Sequence, residues 1–514
     1  MRLASKREIR AAPLVSALLL ASVGATGADR PPTFSAAMPT GWQPGGQRGV
    51  SALFEALRAH HKPTLPHTPV ALRVTSCADN GGPGTLRALV AAAGNDDTID
   101  LTTLTCSSLT LEQGAIPVQL DDLTIIGPGE RRFAIDGAQK DRVFVHYGSG
   151  GLRLQQLTVR NGESTVTGYH VTGGACILSG GYVVLDHSTV RGCRASGEGV
   201  YGGGILAGTI ALYTSTLSGN VALGSHPNVF TAAYGGGAMA YFGVAYLYAS
   251  TVAGNRAAHN PSDTHGSYCT GGGVFADFGS YAVRSTVSGN YSYGTGGGMA
   301  GHGGFHIGNS TISGNTAKLK MGGGIFVRTF GDPFVLYNST LAFNNAVDGG
   351  GVYVTGAPSA ATLQSTIVAG NSMADIAAPA ALTISGAKNL VMSAGAGITL
   401  PTDTLHSDPR LRSLAENGGP TRTHALAPAS PARDAGNNAA NLATDQRGGG
   451  FARVAGAAAD IGAFEAPTAS APTAAPATGI GAGIALAGLL ALFGARAQSG
   501  KRRRIETFVN EHFE

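Results

Sequence analysis

One short phrase returns seven times between Ser188 and Gly370, and it constrains the fold of this chain more than any other feature. It reads STVRGC at 188–193, STLSGN at 215–220, STVAGN at 250–255, STVSGN at 285–290, STISGN at 310–315, STLAFN at 339–344 and STIVAG at 365–370. Successive copies start 27, 35, 35, 25, 29 and 26 residues apart, with a GGG cluster at 202, 235, 271, 296, 322 and 349. A unit this short cannot bury a hydrophobic face alone. Stacked on its neighbours it can, and one period then makes one coil of a solenoid.

The phrase has strand composition. Ser and Thr precede an aliphatic residue in every copy: Val190, Leu217, Val252, Val287, Ile312, Leu341 and Ile367. A Gly/Asn turn follows. Side chains alternate along a strand, so Ser and the aliphatic residue share the inner face and Thr takes the outer one. Stacking coils at about 4.8 Å then sets like residues above like. The expected columns are aliphatic, Ser and Asn, the last made of Asn220, Asn255, Asn290, Asn315 and Asn344. Asn and Gly suit the corner because both tolerate positive φ, and stacked amides can bond from coil to coil. The class expected is all-β, a parallel β-helix.

Composition agrees. The 514 residues include 78 glycines and only 13% charged side chains, while 43% are hydrophobic. That suits a turn-rich exported protein better than a disordered one. The net charge of +4 comes from the ends: without residues 1–28 and the far C-terminus, 26 basic residues face 27 acidic ones. A near-neutral body gives no electrostatic basis for binding nucleic acid.

Residues 1–28 read as a secretory signal peptide, with Arg2, Lys6, Arg7 and Arg10 before the apolar stretch Ala11–Val23. Residues 29–70 read as a Pro/Gly/Ala-rich linker with a short amphipathic candidate at Ser51–His60. The β-helix is expected over 71–400. Its first turn contains a helix near Thr85–Ala93, stopped by Gly94, with Leu86, Leu89, Val90 and Ala93 on one side. Laid across the first coil, that helix would shield an otherwise unpaired edge.

This front end resembles a bacterial surface-protein family, the CSLREA type, in Cys77 and "GTLRALV". "LTCSSLTL" at 104–111, "LTIIGPG" at 123–129, "AIDG" at 134–137 and "GLRLQQLTVRNG" at 151–162 resemble the first coils of right-handed β-helix proteins with a pectate-lyase-like fold. "SDPRLRSLAENGGPTRTHALAPASPARDAGN" at 407–437 and "TDQRGGGFARVAGAAADIGAFE" at 444–465 resemble the choice-of-anchor Q domain, expected over 401–466. Such a domain implies export and architecture, not a reaction. A linker (467–478), an apolar run at Gly479–Ala495 and the basic cluster Lys501–Arg504 (segment 479–504) then resemble a C-terminal sorting or membrane segment. The tail 505–514 follows, which such signals usually lack, so a permanent anchor and a processed signal are both open.

Five cysteines in an exported chain point to bridges. Cys77 and Cys106 flank the capping helix, and the resemblance also pairs them. Cys176 and Cys193 flank one coil's strand and are either a second bridge or two buried thiols; Cys269 is left over.

Pectate lyases resemble this chain in fold and use a strand motif containing Asp-His, matched by Asp186-His187 in "VVLDHSTV". Lyase chemistry also needs clustered carboxylates for a cation and a strong base. The carboxylates of the coils share no repeat position in adjacent coils, so no metal site or cofactor is expected. The long corners Arg194–Tyr201, Val221–Tyr234 and Arg256–Thr270 emerge on one side, the side where a solenoid usually binds. The third holds His259, Asp263, His265 and Tyr268, which could stack on a sugar or hold a metal, though loop histidines with no ligand spacing are usually just solvated. The expected function is a non-catalytic cell-surface scaffold for adhesion or glycan contact, its partner a polysaccharide or another surface component. The alternative is a polysaccharide lyase or hydrolase on the insertion face.

Overall fold

The computed structural model describes residues 57, 60–61, 67–165, 171–225, 231–260 and 267–468. The expected signal peptide, most of the expected linker, the segment 479–504, the tail, and Asp263 and His265 lie outside the described residues.

Each coil contributes one strand to each of three parallel sheets. In one coil Ile205–Ala207 belongs to a ten-stranded sheet (sheet III), Thr209–Tyr213 to a twelve-stranded sheet (sheet I) and Thr216–Ser218 to an eleven-stranded sheet (sheet II). Strands pair in register with the coils before and after, as in Val190↔Leu217 and Leu217↔Val252. The chain is a parallel β-helix whose aliphatic column fills the tube.

The Ser and Asn columns form as expected from the alternation. From Ser215 to Ser339 each Ser Oγ accepts the backbone N–H of the Ser one coil earlier, at 3.1 Å for Ser188 to Ser215 and 3.0 Å for Ser215 to Ser250. The Asn amides use their full bonding capacity. Asn255 Oδ1 accepts both the backbone N–H (3.0 Å) and the Nδ2–H (2.9 Å) of Asn220. Its own Nδ2 donates to Leu217 O (2.9 Å) and to Asn290 Oδ1 (3.0 Å). The ladder runs through Asn290, Asn315 and Asn344, and Cys193 N–H starts it by donating to Asn220.

Two details differ from the expectation. The positive φ at this corner belongs to the residue before each Asn, a glycine at 219, 254, 289 and 314 and Phe343 before Asn344, while the Asn supplies the bonds. The seventh phrase is displaced by one residue: Val368, not Ile367, pairs with Leu341, and Asn371 extends the Asn ladder. Register follows hydrogen bonding rather than letters: Thr366 takes the Ser position and Ser365 the left-handed corner before it. Ile367 is thereby turned outward into a second apolar cluster with Leu426, Ile461 and Phe464.

The long corners are not irregular insertions. After the Asn they run out as one parallel sheet (Arg194–Gly197, Val221–Gly224, Arg256–His259) and return as another (Gly199–Tyr201, Thr231–Tyr234, Ser267–Thr270). Ala195, Ala222, Ala257, Ala233 and Cys269 are buried along this fin. Side chains this small let the two layers pack closely. The GGG clusters sit where the returning layer re-enters the tube against the Asn corner. A Cβ on Gly237 would come within 2.8 Å of Leu217 Cδ2 and 2.9 Å of Asn255 Cγ, so the crossing admits no side chain.

The helix Leu86–Ala92 is capped by Thr85, whose hydroxyl accepts Ala88 N–H at 3.3 Å. Leu86 and Val90 join the main core, with Leu89 and Ala93 packed against it. Disulfides join Cys77 to Cys106 and Cys176 to Cys193; Cys269 is buried and unbridged. Cys77 and Cys106 flank that helix and lie outside the strands.

Leu405 still stacks on the last coil, pairing with Leu390, and residues 411–466 then fold back along the outside of sheet II. Thr189, Thr216 and Thr251 are partly exposed there, whereas Thr286, Thr311 and Thr340 are buried beneath this lap. Thr286 Oγ1 donates to Arg422 O (2.6 Å), Thr311 Oγ1 to Gln446 Oε1 (2.6 Å), and Ala463 N–H donates to Thr340 Oγ1 (3.1 Å). Within the lap Arg447 bonds Asp445 at 2.6 Å and lies between the rings of Phe451 and Phe464, 3.9 Å from each centroid. Arg453 bonds Glu465 at 3.0 Å, both buried. The "TDQRGGGF…IGAFE" text therefore encodes an interior ion-pair network and a grip on the Thr column.

Asn290→Ala would strand the Asn255 N–H, one Asn255 Nδ2–H and the Val252 carbonyl, each buried group costing about 1–3 kcal/mol. Denaturant unfolding of this variant should show a loss of at least about 3 kcal/mol. Exposed Lys318→Ala should stay within about 0.5 kcal/mol of wild type. Equal effects of the two would refute the ladder's role.

Candidate functional site

Asp186 ends a strand of sheet I, and His187 occupies the left-handed corner that follows, with φ 47°. Their side chains bond each other at 2.6 Å but are 38% and 61% exposed. The neighbours in register are Gln155 and Tyr213, so no second carboxylate stands beside Asp186 to share a cation. No group of three potential metal ligands occurs among the described residues. The pair is a solvated corner contact.

The fin separates the other candidates. His259 lies on its outgoing layer, with its ring 3.9 Å from that of Tyr293 and Nδ1 buried without a partner. Tyr268 lies on the returning layer, tilted against Tyr234 at 5.7 Å with Lys320 Nζ 5.1 Å above its ring. Burial raises the Tyr268 phenol above its ordinary range.

What the coils do bring together is an aromatic bend between sheets III and I. Phe242 and Phe278 occupy it in consecutive coils, 6.1 Å apart, and Phe330 ends the sheet III strand further along. They are 38%, 39% and 47% exposed. His302, in the coil between the last two, lies 6.0 Å from Phe330 and edge-on to Phe275. Arg328 stands 5.2 Å over the Phe330 ring. Beneath the rings, buried Asp277 accepts Phe242 N–H at 2.9 Å and lies 3.6 Å from His302 Nδ1. One carboxylate, an imidazole and a guanidinium thus sit among exposed ring faces. That arrangement can take the apolar C–H face of a ring-shaped ligand and hydrogen-bond its rim.

Behind the bend, the outer face of sheet III carries a second apolar cluster of Leu178, Leu206, Met239 and Phe275, joined by Leu57. Leu57 is helical and buried, in the stretch read as amphipathic. Leu57 itself packs on the tube. His61 lies 3.2 Å from Asp121, and His67 bonds Asp97 at 2.7 Å.

Sequence reading missed the bend because its phenylalanines occur in no recurring phrase. Their signal was one aromatic per period just after the strand that follows GGG, in "AYFG" and "ADFG".

No family model matches the chain, and no curated protein matches it. Among solved structures, pectate lyase Pel9A aligns with a TM-score of 0.40 and 14% identity over 78% of this chain and 97% of that one. A likeness at that level carries no argument, and the β-helix stands on its strand pairing alone.

Three histidines set an acid limit on the structure. Burial holds His146, His306 and His424 below the ordinary imidazole range. The unfolded chain takes up protons below about pH 6.5 that the folded chain resists. Stability is thus full above that pH and falls as pH drops through the range below it. Thermal unfolding should show a flat midpoint from pH 8 to 7 and a decline from about 6.5 to 5, before carboxylates in the ordinary range titrate. The buried carboxylates Asp460 and Glu465, raised by burial, act in the opposite sense. The histidine contribution is therefore read from a His146→Gln/His306→Gln/His424→Gln variant, whose midpoint should fall less over this window than that of wild type. An equal fall in both would contradict the burial of neutral imidazoles.

Proposed function

We propose that this is an exported β-helix protein of the cell surface that holds a glycan chain against the aromatic bend without cleaving it. The observation that carries this reading is the row of exposed rings Phe242, Phe278 and Phe330 beside His302 and Arg328. A soluble protein rarely leaves large rings uncovered along one line unless they meet a partner. Rings repeated along a solenoid match a repeating polymer better than a single small molecule. Two disulfides support export to an oxidising compartment. We read the tube as right-handed, the sense parallel crossovers almost always take. On this proposal the CSLREA-type start and the choice-of-anchor Q-like lap are the ends of a displayed β-helix, and segment 479–504 tethers it.

Affinity electrophoresis against acidic and neutral polysaccharides, with and without Ca2+, tests the proposal. Phe278→Ala and Phe330→Ala should each weaken retention about tenfold, about 1.4 kcal/mol, while Asp186→Asn leaves it unchanged. Retention indifferent to both ring deletions would reject the bend. Polysaccharide turnover abolished by Asp186→Asn would reject the scaffold in favour of a lyase or hydrolase.

A further inference from the structure

A second site lies on the opposite side of the tube, where the lap meets sheet II. The hairpin Leu411–Ala415 and Thr423–Leu426 leaves a cleft of about 480 Å3 against the coils, lined by Ser288, Ser313, Leu411, Ser413, Leu414 and His424. His424 Nδ1 lies 2.7 Å from the Arg412 carbonyl, and His424 Nε2 lies 2.8 Å from Ser313 Oγ. A carbonyl can only accept, so Nδ1 carries the proton. Nε2 is then the basic nitrogen and receives the hydrogen bond of the Ser313 hydroxyl. The Phe343 ring meets the imidazole edge-on at 5.3 Å and helps fix its plane. Burial keeps the imidazole neutral, the form a base requires.

A hydroxyl bonded to a neutral imidazole that is itself oriented by a third group is the arrangement of an activated serine nucleophile. We propose that Ser313 and His424 form a catalytic dyad that hydrolyses small carboxylic esters in this cleft. Leu411 and Leu414 give it an apolar wall for a short acyl group. In the first step Ser313 Oγ bonds to the ester carbonyl carbon while its proton passes to His424 Nε2. The oxyanion forms in a cleft also lined by Ser288 and Ser413, two further hydroxyl-bearing residues. The C–O bond to the alcohol then breaks, and the alcohol leaves with the proton from Nε2. Water repeats the sequence on the acyl-serine, releasing the carboxylic acid and restoring both residues.

Other serines of the repeat do not share this arrangement. Ser288 pairs in register with Ser313 one coil away, yet His424 Nε2 bonds Ser313. The inference is independent of the glycan reading, because the cleft and the aromatic bend have no residue in common.

The test is labelling of the full chain with a fluorophosphonate probe at pH 8, with the modified residue located by peptide mass spectrometry. Modification should map to Ser313 and vanish in Ser313→Ala. Hydrolysis of p-nitrophenyl acetate should fall at least about 100-fold in His424→Gln, while Ser218→Ala keeps the wild-type rate. Absence of label on Ser313 in the wild-type protein overturns the proposal, whether or not either variant folds. Equal labelling of Ser313 in folded His424→Gln overturns the role given to the imidazole.

Discussion

Each ladder asparagine amide accepts two N–H groups from one coil and donates to two acceptors, as Asn255 does between Asn220, Leu217 and Asn290. Everything else in the tube depends on that ladder being held. The ladder from Asn220 to Asn371 ends on Asp375, whose Oδ1 takes the last pair of donors at 2.8 and 3.0 Å. A carboxylate can only accept, so it suits a terminus and not the interior of the ladder. The glycine crossing follows from the same constraint. With the amides buried at the corner, the returning strand must pass them in backbone contact, and GGG is what fits.

The lap adds a second layer of order on the outer face of sheet II. Thr in the phrase is neutral toward the core, yet in three successive coils it becomes the surface that the lap grips through Arg422, Gln446 and Ala463. The buried pairs Arg447–Asp445 and Arg453–Glu465 make that lap an ordered body with its own interior. Burial raises Asp460 and Glu465 above the ordinary carboxylate range, opposed by Arg453 and by backbone N–H donors. Removing either arginine would leave its carboxylate partner buried with backbone N–H donors but no counter-charge. The same packing that anchors the lap places His424 over Ser313, so the cleft is a product of the clasp.

The tube was legible because strand alternation and coil stacking act locally and repeat. Ser, Thr and aliphatic positions could be assigned to faces from the phrase alone. The displaced seventh copy was not legible, because its letters repeat while its hydrogen bonds follow Thr366 and Asn371. The fin was read as loops because its strands are short and alanine-rich, and their partners lie a full coil away in sequence. Of the site candidates, Asp186-His187 was visible as a pair and is a pair, but an exposed one. The aromatic bend and the Ser313–His424 contact were invisible for a common reason. Each joins residues with no shared motif, the second across a sequence separation of 111.

Function, in this account, is confined to places where the columns are interrupted or covered. The columns themselves must therefore be rigid, and hydrogen exchange of the ladder amides measures that most directly. The backbone N–H groups of Cys193, Asn220, Asn255, Asn290 and Asn315 each donate to a side chain one coil away. They should exchange together and only as the tube unfolds, at rates that track global stability. Exchange of these amides as fast as that of exposed turns, with the tube still folded, would contradict the claim that the ladder holds the coils.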